Sequence, residues 1–272
     1  MSPLWRDELA IFVSPRKIAL ARRARGLKGR LAAAAEVAVA EGSGSDPNPA
    51  FTHLAQILTE PTWQNANARV VVADAWARFG MVPAPVSHLD DAARRAHARY
   101  VLGDTFGEGI ADWQVALEDT APGRTAAACA LPRDLMAAIE GALAPARLKL
   151  ISVQPWLVVA FNAWRRSLPR GDLWFIALEE GWVSAVEVID GVWRRIHAAR
   201  MSSDSNVEFE RMQALARLAR GPGSGGARIF VEAPPALRAR VQRIGSDVEW
   251  LAAEAPDDGP AHELALLRRA CA

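Results

Sequence analysis

The chain has 272 residues, 51% of them hydrophobic, enough to bury a sizeable core as one large domain or two smaller ones. A formal net charge of +1 excludes a global field that would recruit nucleic acid or acidic lipid, so a charged partner has to be met locally. Two cysteines, Cys129 and Cys271, exclude a four-cysteine metal site and a disulfide framework and point to a reducing compartment. No window approaches ~18 uninterrupted apolar residues, and the N-terminus lacks the pattern of a secretion signal, so the sequence reads as soluble, without an anchor of its own.

ELAIFV (8–13) and the following RKIALARRA predict two strands around a turn at Ser14-Pro15, because proline pre-sets φ for a turn and cannot donate to a central ladder. LAAAAEVAVA (31–40) fits helix or strand by composition; the Val37/Val39 alternation favours a third strand over its second half. EGSGSDPNP (41–49) is a loop, and 51–58, with Leu54, Ala55 and Leu58 on one face, is a helix. RVVVA (69–73) is then a continuously apolar strand of the kind buried in a mostly parallel sheet. The order is β-β-β-α-β.

The middle section predicts a helix capped by Ser87, with Asp90 completing a capping box and Leu89, Ala92, Ala93, Ala96 and Tyr100 as its inward stripe. Residues 112–118 and 125–131 predict two strands around a turn at Pro122-Gly123. Pro132 fits the first turn of a helix that turns Leu135, Met136, Ile139 and Leu143 inward. Residues 148–153 predict another strand, and Pro155 begins a helix with Trp156, Val159, Ala160, Ala163 and Trp164 on one face. Together these read as an inserted subdomain and a crossover helix.

Residues 173–198 predict three consecutive strands. The first ends at Glu179 and Glu180 before a Gly181 turn, and Asp190-Gly191 closes the next hairpin, since a type I′ turn needs positive φ at both central residues. A helix follows with Phe209, Met212, Leu215, Ala216 and Ala219 on one face, then the linker GPGSGG (221–226). That linker matches G-x-G-x-x-G, but it lies between a helix and a strand, the reverse of the order that puts pyrophosphate on a helix N-terminus. ARIFVEA (227–233) is a strand, 235–241 a helix, and Leu264, Leu266 and Leu267 mark a terminal helix. The second half thus repeats β-β-β-α-β. The chain divides into 1–73, a first core half; 74–147, the insertion; 148–251, a second core half; and 252–272, a C-terminal helix. His88 and His97, nine apart, fall on opposite faces of one helix and do not share a metal, and Cys129 in an apolar run reads as core.

The duplicated topology, the strand ending in a carboxylate-Gly turn before an Asp-Gly hairpin, and the segment KLISVQPWLVVAFNAW together resemble the actin-like ATPase superfamily. Within it the likeness is to PilM-type pilus assembly proteins and the cytoplasmic domain of GspL of type II secretion, over about residues 8 to 251. The resemblance implies an α/β fold with mixed sheets, a duplicated ribonuclease H-like or actin-like ATPase fold with a small inserted subdomain. Three nucleotide motifs of that superfamily fall at identifiable positions. Where the first has Asp-x-Gly, this chain has Phe12, Val13 and Ser14, with Lys17 nearby. Where the second has Asp-x-Gly and a small residue, it has Glu179, Glu180, Gly181 and Trp182. Where the third has Gly-Gly, it has Ala233 and Pro234, which removes a backbone N–H and glycine's positive φ. On residue type alone, Glu179 and Glu180 also fit solvated turn residues, and Lys17 a surface charge.

The expected function is therefore a non-catalytic actin-like scaffold of a type IV pilus or type II secretion assembly platform, cytoplasmic and peripheral to the inner membrane. The resemblance implies as partner the cytoplasmic tail of a bitopic, PilN-like inner-membrane protein, with an assembly ATPase and a homodimer as further possibilities, and contact with the membrane only through the partner. No cofactor, metal or nucleic acid is expected. A partner groove with Trp113 and Tyr100 is expected in about residues 74 to 131, against the first core half. The alternative is an active kinase or ATPase that uses Glu179 and Lys17 atypically; a structural protein unrelated to secretion is a third. The basic ending LLRRACA leaves open a longer protein that continues into a membrane segment.

Overall fold

The computed structural model describes residues 6–24, 30–39, 46–84, 89–121, 123–201, 228–241, 248–251 and 262–270. Ser87, His88, Cys271, the helix expected around Phe209 to Ala219 and the GPGSGG linker lie outside them. In chain order the first elements are β1 (Glu8–Val13), β2 (Lys17–Arg23), β3 (Leu31–Ala38), α1 (Asn48–Ile57), β4 (Asn67–Val72) and β5 (Arg78–Val82). They are followed by α2 (Asp91–Phe106), β6 (Gln114–Leu117), β7 (Ala126–Leu131), α3 (Arg133–Leu143), β8 (Lys149–Pro155) and α4 (Trp156–Trp164). The remainder are β9 (Leu173–Glu179), β10 (Trp182–Ile189), β11 (Val192–Arg200), β12 (Arg228–Glu232), α5 (Pro235–Val241), β13 (Val248–Leu251) and α6 (His262–Ala270).

These elements form two compact units. The first comprises Met1–Trp76, Asp134–Ser167 and Ala252–Ala272; the second comprises Ala77–Arg133 and Leu168–Leu251. In the first, a five-stranded sheet has the order β3-β2-β1-β4-β8, with β1 antiparallel to β2 and parallel to β4, and β8 parallel to β4. Leu9, Ile11, Phe12 and Val13 are all buried, which is why β1 reads as an unbroken apolar run rather than an alternation. On the edge, β3 alternates between half-buried and exposed positions. Helix α4 is apolar nearly all round, with Trp156, Leu157, Val159 and Ala160 buried, and it packs on α6.

The second unit repeats that strand order as β11-β10-β9-β12-β13, again with the first two strand pairs antiparallel and the last two parallel. Strand β9 is buried along its whole length. Both hairpins of the meander have two-residue turns: Gly181 takes φ 81°, and Asp190 and Gly191 take φ 52° and 76°, as a type I′ turn requires. Helix α5 covers one face of the sheet with Leu237 and Val241 against Trp174, Ile176, Val183 and Val231. A small antiparallel sheet, β5-β7-β6, completes the unit, with α2 packed on one side through Ala98 and Leu102.

The structure differs from the sequence expectation at three places. The sequence places β8 in the second core half and α3 in the insertion, but β8 hydrogen-bonds to β4 and closes the first sheet, and 134–167 belong to the first unit. Parallel pairing joins strands far apart in sequence, so nothing local in 148–155 reports its neighbour. Second, α2 begins after Asp90, whose carboxylate accepts from the Ala93 amide at 2.8 Å, so Asp90 is the N-cap. Third, the stripe of Leu89, Ala92, Ala93, Ala96 and Tyr100 does not face inward: Ala98 and Leu102 do, and Tyr100 is 77% exposed. Strands β5 and β13 are additions to the sequence reading.

Candidate functional site

The residues matched above to the three nucleotide motifs fall in both units, and each set has its own chemistry. In the first unit they lie on the β1–β2 turn. The Ser14 hydroxyl is used within that turn: its Oγ accepts from the Lys17 amide at 2.9 Å and donates to the Lys17 carbonyl at 3.1 Å, while the Ser14 amide donates to the same carbonyl at 2.9 Å. Phe12 is buried edge-on against Trp156, with centroids 5.8 Å apart. An aromatic ring in that place can supply packing but not metal or phosphate ligation.

Lys17 is already engaged. Its ammonium donates to both carboxylate oxygens of Glu263, at 2.8 and 2.9 Å, stands 3.6 Å from Glu36 and lies 5.8 Å from the centroid of the Phe12 ring. Glu263 sits in the first turn of α6, where a carboxylate complements the helix dipole, and it is buried. The far end of α6 is fastened as well: the Arg269 guanidinium stacks 3.9 Å from the Trp164 ring centroid and donates to the Ser167 hydroxyl at 2.8 Å. The terminal helix therefore places its own carboxylate on the cation of the turn, which neutralises the charge an incoming anion would seek.

Sequence reasoning missed Asp74 in the same unit. It follows β4, is fully buried and accepts from the Leu157 amide through both oxygens, at 3.0 and 3.1 Å, so it caps the start of α4 from across the fold. The signal was present as an acidic residue closing the run VVVA, a place where an unpartnered carboxylate is not tolerated.

In the second unit Glu179 ends β9 and is buried, Glu180 is exposed and Gly181 turns the chain. Trp182 begins β10, with an indole N–H that is buried and lacks a hydrogen-bond partner among the described residues. Strand register places Glu232 beside Ala177, and Ser184 beside Ala177 on the other flank, so Glu179, Glu232, Trp182 and Ser184 share one face of the sheet. Glu232 is fully buried and was not singled out by sequence; the acidic end of RIFVE was its signal. Ala233 lies in the core on the α5 side, and Pro234 accepts from the Arg238 amide at 2.9 Å as α5 begins. Among the described residues no cluster of three or more His, Cys, Asp or Glu side chains has metal-binding geometry.

Trp113 and Tyr100 are given separate surroundings. Trp113 packs at the border of the core under α2; the Arg78 guanidinium lies 5.7 Å from its ring, and its carbonyl accepts from Arg99 Nε at 3.4 Å. Burial lowers the Arg78 pKa from its ordinary value. Tyr100 projects from the exposed side of α2.

No protein-family model matches the sequence, and no curated protein matches it either. Solved structures do. A chain of a PilM-PilN type IV pilus biogenesis complex matches with a TM-score of 0.70 at 12% identity, covering 97% of this chain and 98% of that one. A protein of Bacteroides thetaiotaomicron described as having an actin-like ATPase fold and unknown function matches with a TM-score of 0.58 at 8% identity, covering 92% and 94%. The fold is that of the actin-like ATPases. EpsL of Vibrio cholerae, an inner-membrane component of its type II secretion system, also matches this actin-like chain through its cytoplasmic domain, with a TM-score of 0.59 at 14% identity and coverage of 97% and 94%. No helix among the described residues is long and apolar enough to cross a membrane.

Proposed function

We propose that this chain is a non-catalytic actin-like scaffold of a type IV pilus or type II secretion assembly platform. It binds the cytoplasmic tail of a bitopic inner-membrane protein and is held at the membrane's cytoplasmic face through that partner. The observation that carries the proposal is the Lys17–Glu263 pair: the candidate phosphate cation is held by a buried carboxylate of the same chain. Phosphoryl transfer is mostly positioning plus electrostatic stabilisation by metal and donors. One preorganised donor is worth ~2.7 to 4 kcal/mol of transition-state stabilisation. Phe12 in place of a carboxylate removes a metal-directing ligand, Trp182 in place of a small residue crowds the phosphate loop, and Pro234 lacks the backbone N–H that a glycine would donate.

The platform reading is supported by matches that run over nearly the whole of this chain, to a chain of a PilM-PilN complex and to the cytoplasmic domain of EpsL. The rival, an ATP-dependent enzyme, draws on one observation, the buried Glu179 and Glu232 on a common sheet face. The test is fluorescence anisotropy of dye-labelled peptides copying the cytoplasmic tails of bitopic inner-membrane proteins encoded in the same genome. Saturable micromolar binding that is indifferent to Mg-ATP is expected. Absence of binding, with steady ATP hydrolysis, would overturn the proposal in favour of the enzyme.

A further inference from the structure

Among the described residues strand β6 has an open edge. In the small sheet it pairs only with β7 among the described residues. The Glu118 amide donates to the Ala127 carbonyl at 2.8 Å, and this fixes the alternation along the pair. Ala116 and Gln114 are then bonded to β7, while Val115 and Leu117 direct N–H and C=O to the open side. Such an edge is a template for one more strand.

Beside that edge α2 and β6 flank an open groove of about 640 Å³. Arg94, Arg95 and Arg99 form its helix wall. Arg94 is 3.9 Å from Asp91, Arg99 donates to the Trp113 carbonyl, and Arg95 makes no ion pair among the described residues. Negative charge gathers at one end, where Asp91 begins α2 and Glu118 and Asp119 follow β6. Arg99 reaches the residue before β6, so helix and strand run in opposite directions and the groove is bipolar, basic near Gln114 and acidic near Asp119.

We propose that this groove captures an extended segment of a partner protein, which adds to β6 in antiparallel register. Side chains beside Val115 and Leu117 face α2, because Val115 packs with Ala98 and Leu102. The captured segment therefore carries acidic residues at those two alternate positions, opposite Arg95 and Arg99, and a basic residue two places earlier, opposite Asp91 and Asp119. Backbone pairing supplies affinity and the alternate side chains supply selectivity. A nucleic-acid backbone, uniformly negative, is turned away by the acidic end. The inference rests on the partner-binding reading only in taking the ligand to be protein.

The test uses the full chain and the peptide Lys-Thr-Glu-Val-Glu-Thr-Val, with anisotropy as one readout and amide hydrogen exchange across 114–118 as the other. Expected results are saturable binding, protection of the Val115 and Leu117 amides on addition of peptide, and ~tenfold or greater weakening by R95E/R99E. A peptide with its charges inverted should bind R95E/R99E better than the native chain. R95E alone, at an exposed position, serves if the double variant has a lowered melting temperature. No binding at millimolar peptide, binding unchanged by R95E, or no protection at Val115 and Leu117 overturns the inference. None of these results bears on tail binding elsewhere on the chain.

Discussion

Replacing Lys17 with Met removes the cation that faces Glu263 and lies 5.8 Å from the Phe12 ring centroid, while keeping an unbranched apolar side chain of similar length. The Glu263 side chain is only 5% exposed, so its charge cannot reach water, whereas Lys17 keeps 25% of its surface and has Glu36 within 3.6 Å. Stranding a buried carboxylate costs ~3–5 kcal/mol, and the low end applies here because Lys17 is partly solvated and its pair less dehydrated than a fully buried one. E263L leaves an ammonium that can turn to solvent and to Glu36, so it should cost only ~1–2 kcal/mol. The double variant K17M/E263L removes both charges and restores apolar packing between α6 and the β1–β2 turn; it should lie within ~1 kcal/mol of the native chain. The assay is urea unfolding, followed by tryptophan fluorescence, of all three variants. By calorimetry, K17M should melt ~6–12 °C lower. If the single losses simply add in the double variant, with coupling below ~0.5 kcal/mol, the two side chains do not depend on each other and the account of the turn is wrong.

Other outcomes follow from single observations. D74A should lower the unfolding free energy by ~2 kcal/mol in the same assay, because it uncaps the start of α4 inside the core. In G80A the new methyl would stand 2.6 Å from Leu102 Cδ2, and since Leu102 is buried in the small core the variant should lose ~1–3 kcal/mol, partly recovered in G80A/L102A. Gly191 has φ 76° in open space, so G191A should cost ~1–2 kcal/mol through backbone strain alone, read as a lowered urea midpoint with unchanged slope. Y100A, on an exposed side chain, should leave stability within ~0.5 kcal/mol.

What the sequence discloses is local chemistry. Asp190-Gly191 announced its hairpin because few residue pairs accept two positive φ angles, and Ser14-Pro15 announced the first turn for a related reason. The repeated strand order of the two sheets was likewise legible, because each half carries its own apolar strands and turns, while the second helix of the expected pattern lies outside the described residues. The inward face of α2 was not: its many alanines leave several helical faces almost equally apolar, and only packing on the small sheet selects Ala98 and Leu102. Strand β5, RFGMV, holds a glycine and an arginine and is secured by pairing with β7 rather than by propensity. The partner of β8 depended on a parallel contact across the whole insertion. At the candidate site, the residue types of Phe12, Trp182 and Pro234 are plain in the sequence, but not what surrounds them. The Lys17–Glu263 pair joins residues 246 apart in sequence, and the burial of Asp74 and Glu232 depends on elements far along the chain. No window of sequence contains either.

The central claim of the proposed function is that this chain does not bind nucleotide, and calorimetric titration of the full chain with Mg-ATP tests it most directly. The account predicts no saturable heat up to millimolar Mg-ATP and no shift in melting temperature. A dissociation constant in the micromolar range, which at 100-fold excess would stabilise the fold by ~2.7 kcal/mol, would contradict it.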